Sequence, residues 1–170
     1  FMPIKVNNIF LNSMGFILDK DKAAMWRGPM LSGAIKQLKD LTQWGDLDYL
    51  FIDMPPGTGD AYLTVASEIK PNQVLLVTSQ SKLAVQDTIK SKTMFEKLKI
   101  PVIGLVDNMS YSIYPNSDEQ IVEFPSINLE NEIGSKVLGS IPRTKDLANF
   151  NPDKLSTFFE PLYNELIKVI

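Results

Sequence analysis

The stretch from Asp48 to Asp60 reads Asp-Tyr-Leu-Phe-Ile-Asp-Met-Pro-Pro-Gly-Thr-Gly-Asp, and it constrains the fold more than any other. Tyr49 to Ile52 is a short continuous apolar run, the pattern of a strand buried on both faces of a parallel sheet. Asp53 ends the run, and Pro55, Pro56, Gly57 and Gly59 then impose a turn. A carboxylate at the carboxyl end of a buried strand stands where open α/β sheets bind ligands. The glycines allow main-chain N–H groups to approach an anion closely, because no Cβ intervenes. Two readings of Asp53 stay open. It is either a magnesium-holding aspartate followed by a phosphate-sensing loop, or a residue that merely ends a strand before a tight turn.

The rest of the chain predicts an alternation of strands and helices. Lys5 to Leu18 reads as a strand region, with Ile9-Phe10-Leu11 and Met14 to Leu18 as its apolar pieces. Pro29 suits a first helical position, and Leu31, Ala34, Ile35, Leu38 and Leu41 follow at helical spacing until Trp44-Gly45. Arg27, just before this helix, either faces a partner or is solvated. Asp60 most simply caps a helix over Ala61 to Glu68, with a catalytic use as the alternative. Val74 to Thr78 is a second buried strand, Ser81 to Lys99 a helix, Val102 to Val106 a third strand, and Lys136 to Ile141 a fourth.

Met109 to Asn128 is a long connection with one short strand, Gln120 to Phe124. Asn151-Pro152-Asp153 starts a last helix with an apolar stripe at Leu155, Phe158, Phe159, Leu162, Leu166 and Val169, which Pro161 should kink or split. Strands and helices in this rhythm indicate βαβ units in a mostly parallel sheet flanked by helices, folded as one domain over residues 1–170.

Composition narrows the chemistry. Hydrophobic residues make up 44% and charged ones 22%, as in ordinary globular domains. The net charge of −3, without any long Lys/Arg run, speaks against a nucleic-acid binder and against an anionic-membrane anchor. With no cysteine and no histidine, disulfides and thiolate or imidazole metal sites are excluded, so any metal is a hard, oxygen-bound ion. No apolar run approaches the roughly 20 residues of a membrane helix. Phe-Met-Pro-Ile-Lys has no signal-peptide layout, and the expected location is cytoplasmic.

Three motifs in order, Met25-Trp26-Arg27-Gly28-Pro29-Met30, Ile52 to Asp60, and Asn108-Met109-Ser110-Tyr111, closely resemble the Mrp family. These are deviant P-loop ATPases of the MinD, ParA and nitrogenase-iron-protein superfamily, which carry and assemble iron–sulfur clusters. The resemblance implies a SIMIBI-type P-loop NTPase fold, ATP and magnesium as cofactors, a homodimer, and iron–sulfur apo-proteins or assembly factors as partners. It assigns Asp53 to magnesium, held directly or through water, and Gly57 to a γ-phosphate contact. Asn108, by itself a turn-former, is matched to the residue whose amide reads the adenine edge. Pro142 and Arg143 fall in the loop over the base.

The sequence departs from that family twice. Many relatives carry Cys-Pro-x-Cys where this chain has Tyr114-Pro115-Asn116-Ser117, so a cluster held on its own thiolates is not expected. The phosphate-cradling string Gly-x-x-x-x-Gly-Lys-Ser/Thr occurs nowhere in these residues. The chain reads as the C-terminal portion of such an ATPase, without the first strand and phosphate loop, and unable to bind ATP or a cluster alone. Tyr49–Ile52 would then pair with Val74–Thr78 directly, or another segment or chain would fill the gap. The alternatives are a nucleotide-free interaction module, or a MinD/ParA-like positioning ATPase. The latter is disfavoured by the Pro-Pro-Gly-Thr-Gly-Asp string and by the lack of a basic amphipathic helix at the end.

Overall fold

The computed structural model describes residues 1–17, 28–54, 59–113, 120–122, 126–149 and 152–170. The chain forms two compact units, Phe1–Pro71 and Asn72–Ile170, and each is described by itself.

In the first unit, β1 (Ile4–Val6) and β2 (Ile9–Leu11) form an antiparallel hairpin. Asn7 takes a left-handed φ of 52° at its turn, a conformation asparagine tolerates better than most residues. Met14–Ile17 is a short helix, α1, and not the expected strand. Ser13 explains the change: its Oγ accepts from the Gly15 N–H at 3.2 Å and its carbonyl from the Phe16 N–H at 3.0 Å, a local turn that competes with extension.

Helix α2 (Gly28–Asp40) follows as predicted, with Ala34 buried. It packs against α3 (Asp60–Thr64) and the π-helical turn Val65–Ile69 that continues α3. Thr64 donates to Ser32 Oγ at 2.6 Å, and Lys36 pairs with Glu68 at 3.0 Å on the exposed side. Asn12 donates to Thr42 Oγ1 at 2.6 Å, and Thr42 in turn donates to the Leu38 carbonyl at 2.5 Å, which ties the hairpin to the end of α2.

The first unit also holds the largest departure from expectation. Tyr49–Ile52 is not a strand: Tyr49 is 62% exposed and Phe51 77%, and no described strand includes them. Their rings stand 6.3 Å apart on one side of an irregular segment. An apolar run becomes a buried strand only when neighbouring strands take up its main-chain groups and cover its side chains. Periodicity reports the apolar character and is silent on the partners. Among the described residues Tyr49–Ile52 pairs with no strand, so the first of the alternatives, a direct ladder with Val74–Thr78, is not seen, and Asp53 does not close a strand.

The second unit is an α/β layer. Its sheet has β4 (Val102–Ile113) at the centre, parallel to β3 (Val74–Thr78) on one side and to β6 (Val137–Arg143) on the other. A two-residue strand, β5 (Gln120–Ile121), pairs antiparallel with the far end of β4. The sheet is thus mixed and mostly parallel, flanked by helices. Helix α4 (Lys82–Lys97) packs on β3 and β4, and α5 (Leu129–Ile133) packs on α4.

Leu76, Val85, Leu105, Leu129 and Ile133 form the core, ringed by Val74, Ile89, Val102, Ile127 and Val137. Leu105 is fully buried at its centre, and truncating such a leucine to alanine costs about 2–5 kcal/mol. Helix α5 is closed at both ends by its own sequence. Asn128 Oδ1 accepts from the Asn131 N–H at 3.0 Å, and Gly134 leaves the helix in the left-handed region at φ 66°.

After β6, Thr144 caps the short α6 (Lys145–Ala148) by accepting from the Leu147 N–H at 3.1 Å. Helix α7 (Pro152–Leu166) runs on through Pro161, so the expected split does not occur. The half-buried stripe of Leu155, Phe158, Leu162 and Leu166 holds the helix together where Pro161 removes one N–H. Among the described residues, no helix is long and apolar enough to cross a membrane.

Candidate functional site

The carboxyl ends of β3, β4 and β6 point the same way, and open α/β sheets bind their ligands outside that rim. Asp107 and Asn108 lie there in β4, Ser79 and Gln80 just beyond β3, and Ile141 to Arg143 at the end of β6.

The rim has an irregular ladder. Asn108 is paired with Ile141, but the next pairing is Ser112 with Arg143, so β4 spends Met109, Ser110 and Tyr111 against the single residue Pro142. Pro142 sits in β6, which among the described strands pairs only with β4, and such an edge strand tolerates a proline whose missing N–H faces away from the ladder. Here β4 bulges past it. Met109 takes the strain, with a left-handed φ of 55° that costs a non-glycine residue on the order of 1 kcal/mol. Ser110 Oγ donates to the Ile141 carbonyl at 3.3 Å and bridges the opened ladder.

Three of the sequence-derived site residues are therefore brought together: Asn108, half-buried, beside fully buried Pro142 and exposed Arg143. β4 continues past Val106, where the apolar run ends and a strand end was expected, and runs through the bulge to Ile113.

Asp107, which sequence reasoning passed over, is the most unusual group on the rim. It is only 6% exposed. Its Oδ2 accepts from Gln80 Nε2 at 2.7 Å, while Oδ1 is buried with no hydrogen-bond partner. Burial pushes this carboxyl above the usual carboxylate range, against the opposing pull of the Gln80 amide. The signal that could have found it is the acidic residue that ends an apolar strand, the same signal that singled out Asp53.

Asp53 belongs to the first unit, where it is exposed in an irregular segment. Gly57 lies outside the described residues, as do Arg27 and the Tyr114–Ser117 string; the Asp60 side chain does as well. Among the described residues no group of three or more His, Cys, Asp or Glu side chains could hold a metal ion.

An exposed carboxylate with hard oxygens fits magnesium, which takes one or two carboxylates and completes its shell with water and phosphate oxygens. A half-buried asparagine amide fits the donor–acceptor edge of adenine. An iron–sulfur cluster does not fit, because the chain holds no thiol.

Residues 1–164 match the ParA family profile described as a NUBPL iron-transfer P-loop NTPase. This chain belongs to that family. Among its relatives is the iron-sulfur cluster carrier protein of Pseudomonas fragi, 41% identical over 150 residues, covering 86% of this chain and 52% of that protein. Among solved structures, a nucleotide-binding protein from Archaeoglobus fulgidus in complex with ADP has a TM-score of 0.70 and 33% identity, covering 87% of this chain and 58% of the other. The cell division ATPase MinD of Pyrococcus furiosus has a TM-score of 0.58 and 26% identity, covering 85% of this chain and 60% of that one. The first curated relatives are matched over 30%, 52% and 47% of their own length, so the chain spans about half of them or less. The P-loop NTPase fold and the link to MinD and ParA, first raised by three short motifs, are shown. The family's members include iron-sulfur cluster carriers.

Proposed function

We propose that the chain is the base-side portion of an Mrp-type, ATP-binding iron–sulfur cluster carrier or assembly ATPase, its two units being parts of a single nucleotide-binding domain. The carrying observation is the bulge that sets Asn108 beside Pro142 and Arg143 at the carboxyl rim of the parallel sheet. Asn108 offers its amide to the adenine edge, and Pro142-Arg143 borders the base. Asp53 holds magnesium through water, and Gly57 offers its N–H to the terminal phosphate. Magnesium, when bound, neutralises charge on the phosphates; the residues of this chain orient the base and the metal's water shell.

The cluster is cargo, and this chain has no ligand for it. The protein works in the cytoplasm as a homodimer that serves iron–sulfur apo-proteins or assembly factors, without nucleic acid or membrane. The name of the Pseudomonas fragi relative and the ADP in the Archaeoglobus fulgidus structure support this reading.

A second reading, a nucleotide-free interaction module, is favoured by the absence of a phosphate-cradling string from these residues and by the exposed Tyr49 and Phe51. Titration of the chain with magnesium-ATP and with adenosine, followed by NMR at the Asn108 side-chain amide, separates the two. The ATPase reading expects a weak, saturable shift at Asn108 from both ligands, far from micromolar affinity. No shift at Asn108 from either ligand leaves the interaction module.

A further inference from the structure

Gln80 stands at the carboxyl end of β3 and makes two hydrogen bonds of opposite sense. Its Nε2 donates to Asp107 Oδ2 at 2.7 Å, and its Oε1 accepts from the Ile127 N–H at 2.9 Å. Three separate chain segments meet through this one side chain: the turn after β3, the end of the straight part of β4, and the residue just before the Asn128 cap of α5. An amide of this length is required. A glutamate has no proton for Asp107, a lysine or arginine has no acceptor for Ile127, and asparagine is a carbon shorter.

The bond to Ile127 also fixes which way the amide faces, so Gln80 cannot turn to serve the second oxygen of Asp107. That oxygen stays buried without a partner, so the bond from Gln80 is the one hydrogen bond that holds the Asp107 carboxyl. Directly after Asp107 comes Asn108, and after Asn108 the strained Met109. Successive strand residues point to opposite faces. Holding the Asp107 side chain on the α4 and α5 side therefore fixes the rotation of β4 that turns Asn108 to the other side.

We propose that Gln80 and Asp107 are a positioning pair, which ties the turn after β3 and the start of α5 to β4 and thereby sets the orientation of Asn108 for base recognition. The use for a base rests on the reading under Proposed function; the tie itself does not.

The test uses the whole chain and two variants. Gln80→Met keeps the volume and removes both hydrogen bonds. The double variant Q80E/D107N reverses the sense of one: the new asparagine donates to the new glutamate, whose other oxygen still accepts from Ile127. The first readout is amide exchange at Ile127 together with the resonances of the Asn108 side-chain amide. Gln80→Met should lower Ile127 protection about tenfold or more and shift Asn108, and Q80E/D107N should restore both.

Unchanged protection in Gln80→Met, or a double variant no better than Gln80→Met, overturns the pair, since a space-filling role predicts a benign methionine and no rescue. The second readout is the adenosine shift at Asn108. If it is present in the parent chain and undiminished in Gln80→Met, the role in positioning Asn108 is overturned. If the parent chain itself shows none, the base-site reading fails, and the exchange data alone decide whether the tie exists.

Discussion

Replacing Gly104 with alanine should damage the sheet at β4, and shortening Leu138 should largely undo the damage. A Cβ on Gly104 would lie 2.5 Å from both Cδ1 and Cγ of Leu138 and 3.1 Å from its Cδ2. Comfortable carbon contacts lie at about 3.5–4.0 Å, so the overlap is about an ångström against a residue that is itself only 3% exposed. Overpacking of this kind costs about 1–3 kcal/mol, and the loss of unfolded-chain freedom on changing glycine to alanine returns about 0.4–1 kcal/mol. The net expectation is a loss of about 1–2 kcal/mol.

Leu138→Ala alone should cost about 2–5 kcal/mol through lost burial and a cavity. In the double variant the three clashing carbons are gone and the new methyl enters the space they left. The combination should therefore be no worse than Leu138→Ala, giving a coupling of about 1–2 kcal/mol. Urea unfolding followed by far-ultraviolet circular dichroism measures it through the midpoint, with the slope unchanged. Losses that add within about 0.5 kcal/mol would refute the reasoning. Gly139 supplies the contrast. Its added Cβ would meet Leu162 Cβ at 3.0 Å and Cα at 3.2 Å, atoms that Leu162→Ala leaves in place, so no such rescue is expected there.

Asp107→Asn should stabilise the chain at neutral pH. A carboxyl raised by burial gives stability that is whole below its unfolded value of 3.8 and is lost as pH rises through the folded value, so the gain should vanish in acid, as unfolding at a series of pH values would show. Glu165 has the opposite sign. Hydrogen bonds from Lys168 and Lys136 lower it from 4.5 to about 2, so its contribution is present above 4.5 and lost as pH falls toward 2, and Glu165→Gln should flatten the acid limb of the stability curve between those values. Anaerobic reconstitution with iron and sulfide should leave no stable cluster on this chain; a persistent charge-transfer absorption band after desalting would contradict the argument from the missing thiols.

What could be read from the sequence was whatever side-chain pattern decides locally. Val74–Thr78, the start of β4, helix α2 and helix α4 are fixed by periodicity and flanking breakers, and they were found where expected. Met14–Ile17 went wrong because a serine hydroxyl and carbonyl, not the apolar run, set the backbone there. Tyr49–Ile52 went wrong because burial depends on neighbours that a run of apolar letters does not name. Pro142 and Asn108 were both singled out, yet their adjacency is a matter of register between β4 and β6, which neither residue names in the sequence. Gln80 was passed over altogether, since one amide after a strand looks like any polar turn residue until its two partners, far away in the chain, close on it.

The bulge opposite Pro142 also carries an evolutionary consequence. β4 spends three residues where β6 spends one, so deleting a single residue there slides Ser112 off Arg143 and turns the later side chains of β4 to the other face. Relatives that keep this register should therefore vary in residue type around Met109 while keeping the length of the stretch.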